Sequence, residues 1–177
     1  MRILKKILLV IIAIVLLLLV VALFIPRTYT VTVTETIHEP SDIVFNYVKL
    51  IKNQENYSVW VMQDPNIKME YIGTDGTEGF IARWNSQEDG VGEGEQQITK
   101  VTADRIEVDL RFKRPFESSQ KAATFVQPLP GNRTLITTEF YGSDAYPMNL
   151  LSLLIGRKMI RDAQTKNLEN LKKILEK

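Results

Sequence analysis

The chain has no cysteine, a single histidine and almost no surplus of either charge. Without cysteine there is no disulfide framework, no thiolate metal site and no lipidated cysteine. The one histidine, His38, has no second histidine or cysteine with which to hold zinc, so it reads as a solvated loop residue. Serines such as Ser58 and Ser118 have no identifiable base partner for a Ser-His-Asp arrangement. With 22 Lys+Arg against 21 Asp+Glu, the clustered positive face that nucleic acid requires is missing. The glycine runs Gly73-x-x-Gly76-x-x-Gly79 and Gly90-x-Gly92-x-Gly94 are followed neither by Gly-Lys-Ser/Thr nor by a helix. The second lies among Glu88, Asp89, Glu93 and Glu95, which repel phosphate, so turns and bulges are the expected use. Calcium-loop spacing is absent too. Neither a metal nor a cofactor is implied.

One long apolar run is present. Residues 7–25 are 19 positions without a charged or polar side chain, close to the roughly 20 needed to cross a bilayer. Arg2, Lys5 and Lys6 precede the run and only Arg27 closely follows it, which by the positive-inside rule places the N-terminus in the cytoplasm and the rest outside. A cleaved signal peptide has a shorter apolar core and a small-x-small cleavage site; this run ends Ala22-Leu23-Phe24-Ile25-Pro26 without one. Residues 1–26 are therefore read as a membrane anchor and 27–177 as one domain. The domain keeps 19 basic residues against 21 acidic ones, a net of −2. About 150 residues bury a sizeable core without covalent staples.

Thr28 to Ile37 alternates strictly: threonine at each even position, and Tyr29, Val31, Val33, Glu35 and Ile37 at the odd ones. This predicts a strand with a solvated threonine face and a buried face that Glu35 interrupts. Pro40-Ser41-Asp42 opens a helix carrying Val44, Phe45 and Val48, and a second short helix covers residues 54–61, ending at Asp64-Pro65. Six further strands follow in meander order, around residues 67–71, 80–84, 96–101, 106–112, 119–127 and 134–141. From Pro147 the chain reads as one helix almost to Lys177. Its first half (Met148, Leu150, Leu151, Leu153, Leu154, Ile155, Met159, Ile160) is expected to be buried, and its second half to face inward through Ala163, Leu168, Leu171 and Ile174. The expected class is α+β, order β-αα-β6-α: a curved antiparallel seven-stranded sheet around a long C-terminal helix.

With those residues in view, the chain resembles the helix-grip superfamily of START, Bet v 1-like and polyketide cyclase/dehydrase-like (SRPBCC) proteins, in particular its small bacterial branch. The resemblance runs from Ile37-x-x-Pro40 before Val44-Phe45, through Trp60 with Asp64-Pro65 and Gly73…Gly76 before Phe80-x-Ala82-x-Trp84. It continues through Gly92-x-Gly94-x-Gln96-x-Ile98, Phe112…Pro115 and Gly131-x-x-Thr134 to Leu168-Glu169-Asn170-Leu171-Lys172. It implies a cavity between sheet and helix and carries no shared catalytic set. Thr138 stands where such proteins often have a large aromatic, which leaves more room inside or marks a repacked strand.

The interior-lining set expected is Glu35, Trp60, Tyr71, Phe80, Trp84, Phe112, Phe125, Thr138, Met148 and Met159, with Phe116 beside them; each one singly is as compatible with plain packing. Glu35, a carboxylate on an apolar face, is the one candidate acid or base, or ligand-orienting group; the alternative is a rim position or a pairing with arginine. Three readings follow: a membrane-anchored module for a small hydrophobic molecule or lipid, an enzyme of the cyclase, dehydratase or hydrolase kind using Glu35, or an interaction domain with a filled interior.

Overall fold

The computed structural model describes residues 2–177. Helix α1 (Arg2–Phe24) leads into β1 (Thr28–Ile37), α2 (Ser41–Val48), a 3-10 segment (Ile51–Asn56) and the single turn α3 (Val59–Met62). The meander β2 (Lys68–Ile72), β3 (Ile81–Asn85), β4 (Glu93–Val101), β5 (Arg105–Arg114), β6 (Ser118–Leu129) and β7 (Arg133–Ser143) follows. A helical rod closes the chain: α4 (Met148–Leu151), a π turn (Ser152–Gly156) and α5 (Arg157–Leu175).

All seven strands form one antiparallel sheet in the order β1-β7-β6-β5-β4-β3-β2. Each hairpin partner is therefore a neighbour, and β1 closes the order by pairing with β7, Thr28 opposite Ser143 and Ile37 opposite Thr134. The alternation expected of β1 is present: Val31 and Ile37 are buried while Thr28, Thr30, Thr32 and Thr34 are exposed. The inner face is sealed at the Ile37 end by two clusters. Ile37, Val44, Phe45, Val48, Ile136, Leu168 and Leu171 form one; Ile51, Phe80, Ala82, Ile98 and Ile106 form the other.

Helix α5 lies along β1. Lys172 Nζ reaches Glu35 Oε1 at 2.7 Å near one end, and the Arg157 guanidinium stacks on the Tyr29 ring at 4.3 Å near the other. A 19-residue helix is about 28 Å long, and a 10-residue strand about 33 Å. The strand is thus fully occupied by α5 alone. Residues 148–156 have no strand left beneath them and overhang the start of the sheet. This corrects the expectation that the first half of the rod is buried. Met148, Leu151, Leu153, Leu154, Ile155 and Met159 are exposed, Leu154 at 64%, and Leu150 and Ile160 are half-buried. The inward positions Ala163, Leu168 and Leu171 are buried as expected.

Candidate functional site

Parity puts Trp84 of β3, Gly94 of β4, and Leu110 and Phe112 of β5 on the inner face, at the end of the sheet where β1 begins. Trp84, Leu110 and Phe112 are only half-buried, because the rod leans on β1 and leaves β3–β5 uncovered there. The Trp84 and Phe112 rings meet edge to face, centroids 5.7 Å apart. The indole is fixed by its N–H, which donates to the Val91 carbonyl at 3.3 Å, and by Gly94, where an added Cβ would fall 2.5 Å from the ring. Deeper on the same face, the Thr138 hydroxyl is buried without a hydrogen-bond partner. Across from these, Met159 lies on the rod face shared with Ala163 and Asn167; Asn167 accepts the Val59 N–H at 2.8 Å. The result is a half-open apolar surface on the inner face of the sheet, at the end where α1 joins the domain. A recess of about 340 Å³ lies instead over the opposite, charged face of the sheet, at Lys68, Glu70, Arg83, Glu93 and Lys113. A second, of about 480 Å³, lies on the same outer face at Thr28, Thr30, Ser119, Lys121, Tyr141 and Ser143. Both are open to solvent.

The other sequence candidates are distributed. Phe80 is a core residue, 1% exposed, stacked on Tyr71 at 6.0 Å. Tyr71 donates to Glu55; burial and that carboxylate push its phenol up. Trp60 is half-buried on α3. Phe125 is on the opposite face of the sheet: it pairs with Thr137, and the Arg105 guanidinium covers its ring at 5.0 Å. Its neighbour Val126 takes the inward position instead. Phe116 sits in the β5–β6 hairpin at 72% exposure, and Met148 and Met159 are exposed on the rod, so none of these three lines a closed interior. Glu35 is half-buried and paired with Lys172 rather than with an arginine; it also accepts the Thr36 N–H at 3.0 Å. His38 is exposed and bonded through Nδ1 to Glu176 at 2.8 Å. Among the described residues, no three His, Asp or Glu side chains stand together as a metal-ligand set.

The residues that sequence reasoning missed are at the junction of α1 with the rest of the chain. Pro26 has no N–H, so the Ala22 carbonyl four positions earlier lacks its i+4 donor and keeps only a long bond from the Ile25 N–H at 3.4 Å. The Asn149 amide supplies one: Nδ2 donates to Ala22 O at 2.7 Å and to Ile25 O at 2.9 Å. Arg157 donates to the Pro26 carbonyl at 3.0 Å, with its guanidinium on Tyr29. The Tyr29 ring in turn lies on Gly142, where a Cβ would come within 2.1 Å of it. Burial pushes the Tyr29 phenol up. Asn149 and Ser152, three apart within an otherwise apolar run, were the only trace of this junction in the sequence.

No protein-family model and no curated protein matches the chain. Solved structures do. Truncated norcoclaurine synthase from Thalictrum flavum aligns at TM-score 0.64 and 13% identity, over 83% of this chain and 92% of that one. Ara h 8.0201 aligns at 0.58 and 12%, over 84% and 97%. DynU16, from the dynemicin biosynthetic locus, aligns at 0.58 and 13%, over 83% of this chain and 47% of that one. At such identities the likeness speaks for architecture alone. Strand order, meander and closing rod together with these alignments establish that the chain has the helix-grip fold of Bet v 1-like and polyketide cyclase-like proteins.

Proposed function

We propose that the protein is a membrane-anchored module that holds a small hydrophobic molecule or lipid in a groove between sheet and rod. α1 is the anchor, with the N-terminus cytoplasmic and the domain outside. The observation that carries this reading is the half-open apolar inner face at Trp84, Leu110 and Phe112. In a filled interaction domain the same positions would be sealed as Phe80 and Ile98 are. α1 is long and apolar enough to span a membrane, and little of it is buried against the rest of the chain. Its last carbonyls are bonded by Asn149 and Arg157, which ties the helix to the folded domain and favours an anchor over a cleaved leader.

The enzyme reading has less support. The Glu35 carboxylate is engaged by Lys172 and by the Thr36 N–H. Native mass spectrometry of the full chain, released from nanodiscs after purification from its own membranes, tests the proposal. A bound hydrophobic molecule is the expected result. Protein that carries none, and takes up no apolar dye when offered one, would sink it.

A further inference from the structure

The overhang of the rod lies where the anchor ends. Asn149 touches the Ala22 carbonyl and Arg157 the Pro26 carbonyl, so the segment between them runs beside the last turn of α1. Ala22 is three residues inside the end of the apolar run, about 5 Å deep at 1.5 Å per residue. A helix resting in the membrane interface sits at that depth, its apolar side chains about 5–10 Å into the headgroup–acyl boundary. Leu151, Leu154 and Ile155 project from this segment at 48%, 64% and 58% exposure. Neighbouring apolar side chains so exposed on one segment mark a surface made for an apolar partner. The charges change at the same level. Arg27 at the anchor exit and Lys158 and Arg161 on the next turns of the rod are all exposed, where cations meet lipid headgroups.

Resting on the anchor reading above, we propose that residues 148–156 form a second, re-entrant membrane contact. The chain leaves the bilayer at Arg27, builds the sheet, and dips back into the same leaflet through Leu151, Leu154 and Ile155. The partner of this apolar surface is the acyl layer of the bilayer that α1 spans. Because the half-open apolar surface lies at the same end of the sheet, the mouth of the groove stands at the lipid boundary. A ligand can then pass between bilayer and groove without crossing water.

The absence of cysteine makes the test direct. Single cysteines at Leu151, Leu154, Leu16 and Ala103 of the full chain are spin-labelled in nanodiscs of zwitterionic and anionic phospholipid. Accessibility to oxygen is then compared with accessibility to a polar nickel chelate. Leu16 reports the anchor, and Ala103, exposed in the β4–β5 turn, reports water. The expected result is an oxygen-to-nickel ratio at Leu151 and Leu154 several-fold above that at Ala103 and below that at Leu16, which lies at mid-bilayer. Labels at Leu151 and Leu154 that behave like Ala103, with Leu16 in lipid, overturn the re-entrant contact and leave the anchor standing. A water-exposed Leu16 overturns the anchor itself. Labels at 151 and 154 shielded from both reagents show that protein, not lipid, covers the surface, and also overturn the inference.

Discussion

The side-chain amide of Asn149 completes a hydrogen bond to the Ala22 carbonyl, 2.7 Å away and 127 positions earlier in the chain, that Pro26 cannot make. Asn149 is 1% exposed, so no water replaces it when it is removed. Asn149→Ala is expected to lower stability by about 1 kcal/mol, the net worth of the lost hydrogen bonds, since the Ala22 carbonyl keeps only the long bond from the Ile25 N–H at 3.4 Å. Thermal unfolding of the full chain in nanodiscs, followed by fluorescence of Trp60 and Trp84, measures this. An unchanged transition would show that the junction does not hold the two parts together.

A second expectation concerns Gly142. Its missing side chain makes room for the Tyr29 ring, which carries Arg157 on its far side. Gly142→Ala should displace the ring and cost about 1–3 kcal/mol, as overpacking does. In a Tyr29→Ala background the same substitution should cost much less, because the colliding ring is gone. Equal losses in both backgrounds would mean that strand geometry, not the ring, requires the glycine.

Glu95 lies between two arginines, Arg83 at 3.0 Å and Arg111 at 2.9 Å. The bond from Arg83, with that from Arg111, holds its carboxyl below the ordinary 4.5. A lowered folded value means a contribution that is complete above pH 4.5 and lost as the pH falls through the folded value. Glu95→Gln is therefore expected to destabilise by about 1 kcal/mol at pH 7, with the difference from the parent closing below pH 4.5. Denaturant melts at pH 7, 5 and 3.5 read this directly. A gap that persists at the lowest pH would assign the effect to packing.

The groove makes opposite demands on stability and binding at Thr138. Its buried hydroxyl has no partner in the protein, so Thr138→Val is expected to stabilise the fold by about 1 kcal/mol. If the hydroxyl serves the ligand, affinity for an apolar dye bearing a polar head should fall at the same time. Leu110→Trp, which fills the groove, should abolish dye uptake while the fold persists by circular dichroism. Undiminished uptake in Leu110→Trp would place the binding site elsewhere.

The strand pattern carried most of the fold. Strict alternation in residues 28–37 set both faces of β1 and put Glu35 inward, and the glycine runs at 73–79 and 90–94 marked the turns on either side of β3. The misplacements came from asking apolarity alone where a side chain goes. Phe125 is as apolar as Val126, and only the register of β6 against β5 and β7 decides which of them faces the rod. Residues 148–156 are apolar enough for a core, yet α5 already takes the whole length of β1, a competition between lengths that no local window contains. Asn149 was unreadable for a related reason. Its meaning depends on a proline just beyond the end of a helix distant in sequence.

A helix on a free linker can tilt in a bilayer without turning what it carries. Here Asn149 bonds the Ala22 and Ile25 carbonyls and Arg157 the Pro26 carbonyl just beyond α1, so on the membrane-anchor reading proposed above helix and domain would move as a single lever. A spanning helix adjusts its tilt to match bilayer thickness. Every such adjustment would swing the sheet through the same angle. A thinner membrane would lean the groove toward the lipid surface or lift it away, and the thickness of the bilayer would become an input to the protein.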